Sequence, residues 1–121
     1  MNLYNFSHPL TDANIDEINA LLAKKHDALR FTRADIRNIP SQVDQSAALV
    51  PQIRNLFIAA HYQDGENKEN IYLRLPGQAD VAAGLLNECV AAYTYANCIR
   101  LASVPNSTPT TYKVVEINIY V

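Results

Sequence analysis

The sequence predicts an α/β fold with a largely parallel sheet and helices on both of its faces. Strand-like and helix-like segments alternate along the chain, and the last segment alternates apolar and polar residues with a period of two. All six prolines lie at or near the borders of these segments, as expected of residues that interrupt helices and strands. The length of 121 residues predicts one domain, residues 1–121, large enough to bury a core without a disulfide or metal.

Two strand–helix units are predicted in the first half of the chain. Thr11 is a good N-cap for the first helix, and Asp12 in its first turn complements the helix dipole. Pro51 fits the first turn of the second helix, where a missing N–H costs little. The predicted elements of this half are a strand over 2–7, a helix from Thr11 to about Lys25, a weaker strand over 27–32 before a polar segment that ends at Pro40, and a helix over about 48–61.

A third strand–helix unit and two further strands are predicted in the second half. In the final strand Val115, Ile117, Ile119 and Val121 share one face, so the alternation is clean. The predicted elements are a polar loop over 63–70, a strand over 71–75, a helix over about 79–96, a strand over 98–104, a turn over 105–109 and a strand over 111–121. The order βαβαβα followed by two strands predicts a small Rossmann-like domain with a C-terminal antiparallel hairpin.

Composition and charge narrow the classes of partner. A net charge of −2 argues against binding to duplex nucleic acid, although backbone amides still allow a small anionic ligand. No apolar run is long enough for a membrane span and no secretory signal is present, so we expect a cytoplasmic protein with no membrane contact. Cys89 and Cys98 form no CxxC pair and the three histidines are scattered, so we expect reduced, partly buried thiols and no metal or other cofactor.

Motifs of the common α/β enzymes are missing. The chain has no GxGxxG after its first strand, no Walker A sequence and no GxSxG nucleophile elbow. Ser7 and His8 follow the first strand where a receiver domain has acidic residues. A dinucleotide site of the standard type and P-loop phosphoryl transfer are therefore disfavoured.

Two loops that lead from strands into helices form the candidate site. If the first and third strands are neighbours, both loops flank the topological switch point, and two helix N-termini face one crevice. We expect an anion there without lysines, contacted by Ser7, His8, Pro9, Thr11, Gly77 and Gln78, with Arg33 and Arg74 helping to neutralise it. A simpler interpretation remains open, in which Ser7 and Thr11 cap the helix, Pro9 stiffens a turn and Gly77 ends a strand.

The two ends of the chain resemble the Csx-fifteen family, a small CRISPR-associated family that accompanies type III systems. The opening motif of that family, N-F-S-H-P-L-T, stands intact from Asn5 to Thr11. The closing pattern I-R-L-x-x-V-P-x-S-x-P-x-x-(aromatic)-x-V-x-E-I matches Ile99 to Ile117, with Tyr112 at the aromatic position. The segment "VDQSAALVPQIRNLF" resembles the second helix of the family.

This resemblance implies a role in cyclic oligoadenylate signalling. It implies a Rossmann-like homodimer, or a higher homo-oligomer, that holds cyclic tetra-adenylate across its interface and damps the signal by sequestration. A metal-independent ring nuclease is the alternative, with His8 as the candidate general base for attack of a ribose 2′-hydroxyl on the adjacent phosphate. A protein-interaction subunit that binds no ligand is a second alternative.

Overall fold

The structure is a computed structural model that describes residues 1–25, 28–64 and 69–121. Its main elements follow the predicted order of three strand–helix units and two final strands, so the α/β fold with a Rossmann-like arrangement is confirmed. The elements are β1 (Leu3–Asn5), α1 (Asp12–Lys24), β2 (Ile36–Asn38), α2 (Leu49–His61), β3 (Asn70–Arg74), α3 (Ala79–Ala92), β4 (Tyr95–Ser103) and β5 (Tyr112–Tyr120).

The sheet has five strands in the order β2-β1-β3-β4-β5. The first four strands are parallel to one another, and β5 pairs with β4 in the antiparallel sense, which confirms the predicted C-terminal hairpin. Because β1 lies between β2 and β3, the chain changes direction across the sheet at the β1/β3 boundary. The carboxyl ends of all four parallel strands therefore meet at one edge.

Side chains that alternate along the strands build two apolar cores. On one face Tyr4, Leu73 and Leu85 belong to the core that α2 and α3 cover. On the other face Leu3 and Tyr72 belong to the core that α1 covers. No helix in the described part of the chain is long and apolar enough to span a membrane.

Helices α2 and α3 approach each other closely at Gly84. A Cβ atom built at this glycine would lie 2.8 Å from the Cδ1 atom of Ile53. A larger residue would therefore force the side chain of Ile53 to move, so the glycine is explained by packing.

The two cysteines, Cys89 and Cys98, are free and buried, as predicted. Burial raises the pKa of Cys89 to about 12 and the pKa of Cys98 to about 11. Little thiolate exists at neutral pH with such values, so both residues act as small apolar side chains of the core.

The strand predicted over 27–32 is wrong, because the second strand lies at Ile36–Asn38. Residue 27 lies outside the described residues, and the remainder of the segment has no regular structure. Phe31 is 2% exposed, which explains the apolar pattern. Its backbone N–H donates to Asn19 Oδ1, and its carbonyl accepts from Asn19 Nδ2, both at 2.8 Å. A buried side chain thus replaces the neighbouring strand that the backbone of Phe31 would otherwise need.

The helix predicted over 79–96 ends earlier, at Ala92, and the strand predicted over 98–104 begins earlier, at Tyr95. Tyr93 already has extended backbone, with φ −111° and ψ 161°, and its N–H still donates to the carbonyl of Cys89. Tyr95 then pairs with Asn70 of β3. Pairing with β3 therefore overrides the helical spacing of the apolar residues in this segment.

A β-bulge interrupts the alternation predicted for the final strand. Arg100 pairs with Glu116 but Leu101 pairs with Val114, so Val115 is an extra residue of β5. Val114 is buried in the same core as Ile117, whereas Val115 is 39% exposed, so the prediction that Val115 shares a face with Ile117 is wrong.

We expect Asn19→Ala to lower the free energy of unfolding by about 2–4 kcal/mol, because it leaves the buried N–H and carbonyl of Phe31 without partners. Urea unfolding followed by circular dichroism measures this loss. The matched control is Asn55→Ala, an exposed helical asparagine whose replacement should change stability by less than about 0.5 kcal/mol. Equal stability of the two variants would contradict this account.

Candidate functional site

The candidate site lies where the two predicted loops meet at the carboxyl edge of the sheet. The loop of residues 6–11 follows β1, and the loop of residues 75–78 follows β3. These strands pair directly, with Asn5 opposite Arg74. The two loops therefore flank the topological switch point, which is the usual ligand position in open α/β sheets.

The side chain of Asn5, which is 1% exposed, fixes the bend of the first loop. Its Nδ2 atom donates to the carbonyl of His8 at 2.9 Å and to Asn38 Oδ1 at 3.0 Å, and its Oδ1 atom accepts from the N–H of Ser7 at 3.1 Å. One buried amide thus ties the first loop to itself and to β2. Sequence analysis missed this role, although an asparagine within an apolar strand is a signal because asparagine is depleted in strands.

Arg74 is a buried cation at the end of β3, with an exposed fraction of 9%. Its Nη1 atom donates to the carbonyl of His8 at 2.6 Å. Burial lowers the pKa of Arg74, an effect that nearby Tyr112 opposes, yet a guanidinium stays charged in proteins. No carboxylate of the described residues forms an ion pair with it. A buried charge without a counter-ion is costly, and a bound anion would offset that cost.

Three cavities surround the first loop, and we name them by their walls. The strand cavity, of about 320 Å³, is lined by residues that include Ser7, Arg74, Gly77, Tyr112, Asn118 and Tyr120. The hairpin cavity, of about 570 Å³, is lined by residues that include His8, Pro9, Thr11, Arg74, Thr111 and Tyr112. The loop cavity, of about 370 Å³, is lined by residues that include Ser7, His8, Ile39, Ser41 and Gly77.

The three cavities are neighbours because they share lining residues. Arg74 and Tyr112 line both the strand and hairpin cavities. Ser7 and Gly77 line both the strand and loop cavities, and His8 lines both the hairpin and loop cavities. The cavities therefore lie side by side around the first loop, and Arg74 belongs to the walls of two of them.

The charges around the cavities favour an anion. None of the residues that line the strand and loop cavities is acidic. The carboxylate of Glu17, in the wall of the hairpin cavity, already accepts from Asn14 Nδ2 at 3.0 Å and from the N–H of Val114 at 3.3 Å. The net charge of the chain thus conceals a locally cationic region.

The two helix N-termini differ in how their first N–H groups are satisfied. At α1, Thr11 Oγ1 accepts from the N–H of Asn14, and Asn14 Oδ1 accepts from the N–H of Thr11, which forms a reciprocal cap. At α3, the N-cap Gln78 makes no capping hydrogen bond through its side chain. Within the first turn of α3, the N–H of Val81 donates to Asp80 Oδ1 at 2.9 Å, and Gly77, just before the helix, lines the strand and loop cavities.

The predicted site residues are not all brought together. Ser7, His8, Pro9, Thr11, Gly77 and Arg74 line the cavities, whereas Gln78 and Arg33 line none of these three. Arg33 instead pairs with Asp12, with 2.7 Å between Nη2 and Oδ1, and also donates to the carbonyl of Leu10. Of the two predicted caps, Thr11 caps α1, whereas the N–H of Ser7 donates to Asn5.

Gly77 does not need to be glycine for conformational reasons. Its φ angle is not positive, and a Cβ atom built there would meet nothing within 4 Å. The space beside its backbone is therefore open to a ligand.

Comparisons with known proteins find no match to a protein-family model, to a curated protein or to a solved structure. Across the described ranges no cluster of three or more histidine, cysteine, aspartate or glutamate residues is placed to hold a metal ion. Backbone N–H groups, hydroxyls and one buried guanidinium suit the oxygens of a phosphodiester.

We expect Arg74→Met to change the free energy of unfolding by no more than about 1 kcal/mol. The variant loses the hydrogen bond to His8 but also removes an uncompensated buried charge, and Asn5 still donates to the same carbonyl. Urea unfolding of this variant is compared with that of Arg54→Met, an arginine on the exposed side of α2. A loss of more than about 3 kcal/mol would show that Arg74 is required for folding.

Proposed function

We propose that the chain binds cyclic tetra-adenylate, the second messenger of type III CRISPR immunity, and damps the signal by sequestration. The observation that carries this proposal is the guanidinium of Arg74, which is buried between two cavities and pairs with no carboxylate of the described chain. A phosphate of the ring would supply the missing negative charge. The resemblance at both ends of the sequence selects cyclic tetra-adenylate among phosphate ligands.

The shape of the site supports a ligand that is larger than a single phosphate. Three neighbouring cavities follow the first loop, and each has the volume of a small-molecule site. Tyr112 and Tyr120 line the strand cavity and offer aromatic faces on which bases stack. Phosphates at Arg74 and bases in the adjacent cavities fit an oligonucleotide better than a simple anion.

A homodimer follows from the symmetry of the ligand, because a ring with a two-fold axis is matched by two copies of one small domain. The outer edge of β5 supports an interface, since no strand in the described ranges pairs with it. Exposed apolar side chains lie along this strand and just beyond it, at Tyr112, Val115, Ile119, Tyr120 and Val121. Surfaces of this kind are frequently covered by a partner.

Ring cleavage is a second candidate function, favoured by the position of His8. Its side chain is exposed and lines two cavities, and its own carbonyl accepts from Arg74. An imidazole in that place would act as a general base on a ribose 2′-hydroxyl while the guanidinium stabilises charge on the phosphate. Attack of the 2′-oxygen breaks the bond between phosphorus and the 5′-oxygen, which takes up a proton, and leaves a 2′,3′-cyclic phosphate. The reaction needs no metal, and two such cuts convert the ring into two linear di-adenylates.

A protein-interaction subunit that binds no ligand is the remaining alternative. The exposed apolar residues of β5 suit this function as well as they suit a homodimer. Ligand-induced stabilisation separates the two, because only a protein whose folded state binds the messenger gains stability from it.

At a concentration of about 100 times its Kd, cyclic tetra-adenylate should stabilise the folded protein by about 2.7 kcal/mol. The midpoint of thermal unfolding should then rise by several degrees. The same mixtures run on a native gel should show a shifted ligand. Arg74→Met should lose both effects, whereas the matched control Arg54→Met should keep them. No shift with the wild-type protein, by either method, would overturn the proposed function.

If the protein sequesters the ring without cleaving it, we expect His8→Ala to weaken binding of radiolabelled cyclic tetra-adenylate by about 10-fold. The free energy of unfolding should change by no more than about 0.5 kcal/mol, because the side chain of His8 is exposed. A denaturing gel should show intact ring with both proteins. Conversion to linear di-adenylate by the wild type, lost in His8→Ala with binding retained, would instead establish the ring nuclease.

A further inference from the structure

We infer that the strand cavity is a base pocket that selects adenine through the side-chain amide of Asn118. This inference rests on the proposed function and deepens it, because it names the residue that distinguishes an adenylate ligand from other nucleotides. It is carried by three features of the β4–β5 hairpin: the position of Asn118 in the cavity wall, the fixed orientation of its amide, and the neighbouring aromatic ring of Tyr120.

Asn118 lies in the wall of the strand cavity. It pairs across the hairpin with Cys98, and both line the strand cavity together with Arg74. Tyr120 lies two residues further along β5, so its side chain projects from the same face, and it is 41% exposed. A base that enters this cavity would therefore meet an amide and an aromatic face.

A carboxylate fixes which way the amide of Asn118 points. The Nδ2 atom donates to Glu116 Oε1 at 3.3 Å, and the same oxygen accepts from Nε of Arg100. These hydrogen bonds lower the pKa of Glu116 below its usual value, and the bond from Arg100 has the larger effect. The carboxylate therefore stays ionised at neutral pH. An ionised carboxylate accepts only, so a flipped amide would place Oδ1 against a negative charge. The amide is left with Oδ1 and one N–H for a ligand.

This fixed amide matches adenine and opposes guanine. Adenine has a donor at its 6-amino group beside an acceptor at N1 or N7, which pairs with Oδ1 and with the remaining N–H of Asn118. Guanine has an acceptor at position 6, with a donor at N1 and a second acceptor at N7. To bind guanine in the same place the amide would have to flip, and Glu116 prevents that flip.

The test measures the affinity of four proteins for three probes by calorimetry. The proteins are the wild type, Asn118→Leu, Glu116→Gln and the control Asn87→Leu, an exposed asparagine of α3. The probes are cyclic tetra-adenylate and two linear dinucleotides, ApA and GpG. Each dinucleotide has one phosphodiester. Circular dichroism verifies that every variant is folded before its affinities are compared.

We expect the wild type and Asn87→Leu to bind ApA about 10- to 100-fold more tightly than GpG, which is the range for one bidentate base contact. Asn118→Leu should abolish this preference by weakening ApA alone. Glu116→Gln should also reduce the preference, but by strengthening GpG, because a neutral amide tolerates the flipped Asn118. A role of Asn118 in folding alone would not produce this opposite pair of effects.

The outcomes separate this inference from the proposed function. If cyclic tetra-adenylate binds but the ApA preference is missing or survives in Asn118→Leu, the adenine pocket is refuted and the proposed function stands. If cyclic tetra-adenylate does not bind while the Asn118-dependent preference for ApA is present, the pocket stands and the messenger is wrong. Absence of binding by all three probes refutes both.

Discussion

The carbonyl oxygen of His8 accepts hydrogen bonds from Asn5 Nδ2 and from Arg74 Nη1, and the arrangement of the candidate site depends on this shared acceptor. Asn5 ends β1 and Arg74 ends β3, so the contact exists only because these strands are neighbours. It holds the first loop in its bend and keeps a buried cation at the edge of the sheet. The three cavities are arranged around that loop, and the cation lines two of them.

This constraint also explains how a chain of net charge −2 offers a site for an anion. Two other arginines are engaged in ion pairs: Arg33 pairs with Asp12, and Arg100 pairs with Glu116. Exposed pairs of this kind contribute little to stability, but they leave Arg74 as a buried cation with no carboxylate partner within the described residues. Local arrangement, and not the total charge, therefore determines which ligands the site favours.

The errors of sequence-based prediction share one physical cause. Apolar periodicity reports burial, and Phe31 and Tyr93, which lie in apolar segments of the sequence, are both buried. It does not report which group satisfies the backbone: Asn19 does so at Phe31, from a helix twelve residues earlier. The bulge at Val115 could not be predicted from the sequence for a similar reason. The register of β5 is decided by its pairing with β4 and not by the alternation of residues within β5.

The sequence by itself determined the order of the elements, the antiparallel hairpin and the two loops of the candidate site, because these depend on local periodicity, caps and prolines. It also contained Arg74, but only as one arginine among several. Tertiary structure decided that Arg74 is buried without a carboxylate partner in the described chain and that Arg33 is paired. It also decided that Asn5 organises the first loop and that Glu116 orients Asn118. The burial of Arg74 and the pairing of Arg33 depend on contacts between separate elements, which local sequence patterns do not encode. The contacts of Asn5 and Glu116 are short in sequence, but the side-chain geometry that makes them is set by the folded loop and strand.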